Sequence, residues 1–305
     1  MEVKIMNKTK TNATIREEKG KLLSPKIDVI FQILFGEIGS EEITKDFLST
    51  ILEEKINEVN LNENIVFRRE LPNGKMGIVD VLAKINESEY CNIEMQMTDK
   101  KNIIKRMLYY WAKQYARGIN KREDYQVLKR TIVVLIANFE LENLEELGLH
   151  SRWKLIEVKD RKIVLTDDIE FNIIELPKLN KEPKGSEDEK LKEWLNFLEN
   201  PESKEVQGHM KRNENMKAAR EKLNEISKDE KVRRIAELRQ KAILDEKEAE
   251  YTGYCNGLEE GRKEGIKQGI EQRNIEIAKS MKEEGINIKY IVKVTGLSEE
   301  EINTL

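Results

Sequence analysis

A chain of 305 residues with 54 basic and 58 acidic side chains, 38% hydrophobic and 37% charged, has room for one sizeable domain and a thinly packed second part. No apolar run reaches the roughly 18 residues of a membrane span. With no export signal and only two distant cysteines, Cys91 and Cys255, the expected location is the cytoplasm. His150 and His209 are the only histidines, so a His/Cys zinc site or a Ser-His-Asp triad lacks raw material and any catalysis rests on carboxylates.

Residues 1–21 are polar and charged and are expected to form a disordered leader. Ser24-Pro25 supplies a cap residue and a first-turn proline, and Ile27, Ile30, Phe31 and Leu34 follow at helical spacing. Asp28 in that first turn has two readings: an acid lent to a site, or a charge favoured by the helix dipole. After Gly36 and Gly39, Ser40 caps a second helix with Glu41 and Glu42 at its positive end and Ile43, Phe47, Leu48 and Ile51 on its inner face. Residues Asn64 to Leu71 suggest a strand, followed by a turn at Pro72-Asn73-Gly74.

The stretch from Gly77 to Met97 reads as an antiparallel hairpin, its arms Ile78–Ile85 and Tyr90–Met97 joined at residues 86–89. Asp80 interrupts an apolar arm, which is costly without a partner. Side chains alternate along a strand, so Glu94 and Gln96 share one face while Ile93, Met95 and Met97 share the other. A register that sets Asp80 beside Glu94 brings two carboxylates together, an arrangement a cation stabilises. Oxygen ligands of this hardness suit Mg2+, with Mn2+ as the alternative. Taken alone, both acids are equally well read as edge-strand residues facing water; the order of elements around them decides.

An amphipathic helix spans about Lys100 to Asn120. From Thr98 to Arg130 ten basic residues face three acidic ones, the strongest basic excess in a chain of net charge −4. Lys105, Arg106, Lys113 and Arg117 on this helix are the expected phosphate contacts, with Tyr110 on the face of Arg106. Leu108, Trp111 and Tyr115 read as core. Residues Thr131 to Phe139 are almost all apolar, as in a strand buried on both faces. Strands are also expected at Trp153–Val158 and Ile169–Leu176.

Beyond Leu179 the sequence changes. Trp194, Leu195, Phe197 and Leu198 form a short docking helix, and from about Asn213 to Glu284 large apolar residues are few and charges of both signs dense. Gly253, Gly257, Gly261, Gly265 and Gly269 recur every fourth residue, each costing a helix about 1 kcal/mol relative to Ala. A close helix–helix seam and a deliberately soft helix both account for them. The end reads as helix, Gly296 turn, helix, with Ser298 and Glu301 as a capping box. Its turn resembles that of helix-turn-helix proteins, but Glu299-Glu300-Glu301 opens the second helix, and a packing hairpin is the preferred reading.

The order of helices, three strands with acids on the second and third, helix and buried strand resembles the PD-(D/E)XK nuclease fold. Residues 22–198 more closely resemble the Rpn family of recombination-promoting nucleases. The segments that carry the resemblance are Ser24–Phe31, Asp80–Ala83, Ile93–Gln96, Lys105–Trp111, Gly118, Tyr125, Glu175–Lys178 and Trp194–Leu198. The resemblance implies an α/β core, a mixed central sheet flanked by helices, over residues 22–200. A long charged helical arm (201–284) and a small helical hairpin (285–305) follow. It implies a Mg2+-dependent DNA endonuclease tied to recombination or transposition, with Asp80, Glu94, Gln96 and Asp28 as its site. Asp80, Glu94 and the Met95 carbonyl would hold the ion. Gln96 stands where the fold usually has Lys, so a cation from Lys84, Lys105 or Arg106 must compensate; Gln32 stands where the family usually has Lys. DNA is the expected partner, with self-association through the arm. The rival expectation is a nuclease-fold scaffold without catalysis that binds DNA or a partner through its arm.

Overall fold

The computed structural model describes residues 21–61, 80–86, 88–99, 101–181 and 189–305. The strand expected over 64–71, its turn and the leader fall outside these residues. Two helices open the fold, α1 (Asp28–Gly36) and α2 (Glu41–Leu52), followed by strands β1 (Val59–Asn60), β2 (Val81–Ile85) and β3 (Glu89–Gln96). Helix α3 (Ile103–Arg117) leads to β4 (Thr131–Ala137), and β5 (His150–Ile156) and β6 (Val164–Glu175) complete a mixed sheet in the order β1-β2-β3-β4-β6-β5. The β2–β3 hairpin is antiparallel, while β3 and β6 run parallel to β4 on either side. Every residue of β4 is buried, as its apolar run requires at the centre of a covered sheet.

Alternation along the strands divides the core in two. Ile132, Val134 and Ile136 of β4 join Val81, Ala83, Ile93 and Met95 in the larger cluster with α1, α2 and α4 (Glu189–Glu199). Val133, Leu135 and Ala137 face the other way and pack with Ile103 and Met107 of α3. Aromatic rings pin the larger core: Phe35 lies 4.8 Å from Phe47 and 6.0 Å from Trp194, whose indole N–H donates to Asp46 at 3.0 Å. Gly36 sets the distance of α1 from the sheet, because a Cβ there would stand 3.0 Å from a methyl of Val81.

The core does not stop near residue 200. Val206 of α5 (Lys204–His209) and Met216, Ala219, Leu223 and Ile226 of α6 (Glu214–Lys228) are buried in the same cluster, as is Ala236 of α7 (Glu230–Glu283). The first of two compact units accordingly extends to Ile243. The boundary expected from sequence is corrected on this point: a few apolar residues at helical spacing on α6 suffice to dock it, however charged the rest of the helix is.

The second unit begins at Leu244, within α7. Helix α7 runs unbroken through its five spaced glycines, and a Cβ at any of them would meet nothing within 4 Å among the described residues. No described neighbour accounts for the glycines. Ala278 of α7, Ile291 of α8 (Ile288–Thr295) and Ile302 of α9 (Glu299–Thr304) form the unit's own small core. Gly296 takes a left-handed conformation (φ 74°) between α8 and α9, and the Ser298–Glu301 capping box is present.

Candidate active site

The hairpin register pairs Val81 with Ile93, and one step along it carries Asp80 to Glu94. Cys91, Ile93 and Met95 lie in the larger core, so Asn92, Glu94 and Gln96 turn to the opposite face, where α3 lies. Asp80 is 7% and Glu94 2% exposed. The Asp80 carboxylate accepts the Met95 backbone N–H at 2.7 Å and the Gln32 amide at 3.4 Å. Burial dominates: with the charges of Glu94 and Asp28 it pushes the Asp80 carboxyl up to about 7, against the lowering effect of the Met95 and Gln32 hydrogen bonds.

Glu94 is also pushed up by burial, partly countered by Arg106. One guanidinium nitrogen of Arg106 donates to Glu94 Oε2 at 2.9 Å, while the buried Oε1 has no hydrogen-bond partner among the described residues. The Arg106 Nε–H is unpartnered among them as well, but two buried acids served by one guanidinium still make a place short of positive charge. No group of three His, Cys, Asp or Glu side chains suited to a metal occurs among the described residues. The two acids nevertheless offer the hard oxygens that a divalent cation takes, and their shared discomfort is what such an ion relieves.

The remaining expected site residues fall around this pair. Asp28 accepts the Val29 N–H at 2.7 Å, lies 3.5 Å from Arg239, and is felt electrostatically by Asp80. Gln96 ends β3, half-exposed on the face of Glu94, its carbonyl accepting the Asn138 N–H at 2.8 Å. Of the three compensating cations, Arg106 is the one paired with a site acid. Tyr110 is half-buried with Leu82 and Tyr90, and its hydroxyl is pushed up by burial and then by the charge of Glu94. Lys105 and Arg117 are exposed on α3, and Lys113 lies over the Tyr109 ring. Trp111 stacks on Tyr115 and donates to the Thr131 carbonyl, as core residues do, whereas Leu108 is 46% exposed and leaves the core reading. Gln32 as a partner of Asp80 went unforeseen; its position four residues after Asp28, one helical turn along the same face, was the available signal.

The family model of the PD-(D/E)XK nuclease family transposase matches residues 25–252. The chain belongs to that family. Its mixed sheet between helices is the corresponding fold, and its function is nuclease- or transposase-related. Nucleases of this family generally use divalent metal ions. A second model, the C-terminal HTH domain of the Rpn/YhgA-like nuclease family, matches residues 271–305 and places the chain in the Rpn group. The Gly296 turn between α8 and α9 thus belongs to a helix-turn-helix domain, the reading weighed below a packing hairpin from sequence. Together the two matches point to DNA as the partner. No curated protein and no solved structure matches the chain. None of the described helices is long and apolar enough to cross a membrane.

Proposed function

We propose that this transposase-family chain is a metal-dependent DNA endonuclease acting in recombination or transposition. The observation that carries the reading is the buried pair Asp80–Glu94 with its unpartnered Glu94 Oε1. Asp80, Glu94 and the Met95 carbonyl are the residues that would hold Mg2+ or Mn2+. Such an ion polarises a phosphodiester and lowers the pKa of bound water. Gln32 holds the Asp80 carboxylate by its amide, and Gln96, on the face of Glu94, offers a hydrogen bond but no charge. The positive charge the missing motif lysine would bring comes from Arg106, which neutralises Glu94 until phosphate competes for it. Asp28 adds negative potential from the start of α1. Lys105, Lys113 and Arg117, with Tyr110, contact the strand along α3. Self-association through the charged helical arm would give two sites for the two strands of a duplex.

Supercoiled plasmid incubated with Mg2+ and with chelator tests this. Nicking by the wild type is expected in Mg2+ alone, and is expected to be lost in Asp80→Asn and Glu94→Gln proteins that still bind DNA. Absence of metal-dependent nicking by the wild type, with DNA binding retained, would instead favour a scaffold without catalysis.

A further inference from the structure

The first turns of α7 are anchored to the sheet domain. Asp229 caps them, accepting the Lys231 and Val232 N–H groups at 2.8 and 3.1 Å. The Arg233 guanidinium donates to the Lys21 carbonyl at 3.0 Å and to the Ser227 carbonyl at 2.6 Å. Ala236 is buried in the larger core, and the unit that holds it runs to Ile243. Arg239 follows one turn after Ala236, so its backbone is fixed by this docking while its side chain stays 60% exposed.

The Arg239 Nε lies 3.5 Å from the Asp28 carboxylate. Asp28 gives its other oxygen to the Val29 N–H at 2.7 Å. One turn along the same face of α1, the Gln32 amide donates to Asp80 at 3.4 Å, and the charge of Asp28 is felt at Asp80. Arg239 therefore stands on the α1 side of the acid pair, as Arg106 stands on its α3 side. Lys26, two residues before Asp28, is engaged elsewhere, with Glu199 at 2.7 Å and Asn138 at 3.1 Å.

An exposed ion pair of this length holds its arginine loosely, contributing about 0–1 kcal/mol. A phosphate offers the same guanidinium two oxygens in a matching fork, and a charge-assisted bidentate pair is the stronger one. We propose that Arg239 is a DNA-contacting residue of this site, taking hold of a backbone phosphate on the α1 side of Asp80 and Glu94, and that Asp28 keeps it there between substrates. The inference rests on the endonuclease reading for the place of the contact, and it makes the base of the long helix part of the active site.

The test measures binding rather than cleavage, so that it stands apart from the endonuclease reading. Full-length wild type, Arg239→Gln, Arg239→Lys, Asp28→Asn and Lys241→Gln are titrated with a fluorescent duplex oligonucleotide in chelator at several salt concentrations. Melting temperatures confirm that each variant is folded. Lys241 is exposed two residues on, about 200° around the helix, and its variant makes the same charge change away from the site. Arg239→Gln should lose about tenfold in affinity and flatten the slope of log K against log salt by roughly one unit, whereas Lys241→Gln should lose less than about twofold. Arg239→Lys should keep the slope and recover part of the affinity, because an ammonium meets phosphate without the fork. Asp28→Asn should bind at least as tightly as the wild type, since it releases the arginine. A pair that merely ties α7 to α1 would instead make Asp28→Asn and Arg239→Gln weaken binding alike. That result would overturn the proposal, as would an Arg239→Gln protein indistinguishable from Lys241→Gln. A wild type that binds DNA through Arg239 but does not nick it in Mg2+ would count against the endonuclease reading and leave the contact standing.

Discussion

Two acidic centres are built into one sheet, and they are opposites. Glu170 on β6 is fully buried, yet its carboxylate receives Arg130 at 2.8 Å, Arg152 at 3.0 Å and the Asn172 amide at 3.1 Å. Burial raises its carboxyl, but these partners together outweigh burial and hold it down at about 2. Arg130, just before β4, also reaches Glu54, just after α2, and Glu89 of β3, so the cluster ties these segments and β6 into one network. Asp80 and Glu94 are buried as deeply, with one guanidinium between them and an oxygen left over, and both are pushed up. A buried acid that the fold has satisfied belongs to the architecture. One that the fold has left short of positive charge is held at a cost in stability, which a site for a cation explains.

The largest effect expected from this contrast is on stability. Replacing Glu170 by Gln takes the shared buried carboxylate from Arg130 and Arg152, which keep Glu54, Glu89 and Glu53, and should cost about 2–3 kcal/mol, seen as a fall in unfolding midpoint. The same change at Glu94 should cost far less, because only Arg106 loses a partner and the orphaned oxygen is relieved. Equal losses at the two positions would break the comparison.

The pH dependence sharpens it, because the two centres act in opposite directions. Glu170 is held below its unfolded value of about 4.5, so its stabilisation, about 3 kcal/mol by linkage, is present above that pH and is lost as pH falls toward 2. Asp80 is raised from 3.8 to about 7, so the folded state prefers it protonated. Stability is therefore lost as pH rises from about 4 through 7, by roughly 2–4 kcal/mol. Asp80→Asn should remove that loss: denaturant melts should show it more stable than wild type at pH 8 and indistinguishable near pH 3.5. A variant less stable than wild type at pH 8 would place Asp80 with Glu170 as a structural acid.

Part of this was legible in the sequence. Alternation along Val81–Ile85 and Glu89–Gln96 tells which residues share a face, but the register that sets Asp80 beside Glu94 was only one that the residues allowed; the apolar run of β4 announced its burial. The Glu170 network left no local signal: Arg130 and Glu170 are 40 residues apart and meet only because β4 and β6 lie parallel in register, with Ile132 beside Glu170. The docking of α6 is hidden for another reason. Met216, Ala219, Leu223 and Ile226 make a narrow stripe on a helix otherwise dense in charge, so composition averaged over the segment conceals it. The compact unit that holds this core therefore extends to Ile243.

A smaller effect is expected at Gln32. Replacing it by Leu removes its long hydrogen bond to Asp80, which is worth about 0.5–1 kcal/mol, and should raise the Asp80 carboxyl further. NMR titration of the Asp80 carboxyl carbon in both proteins would register the upward shift, and a downward one would mean that Gln32 does not favour the charged form.

The central claim is that Asp80 and Glu94 form a place for a divalent cation, and thermal unfolding without substrate measures it most directly. Titrating Mg2+ or Mn2+ into the full chain at pH 8 should raise the melting temperature progressively, corresponding to about 2.7 kcal/mol at a hundredfold excess over Kd. Asp80→Asn and Glu94→Gln, each compared with its own midpoint in chelator, should show no such rise. A wild type indifferent to both ions, or an equal rise in all three proteins, would contradict the account.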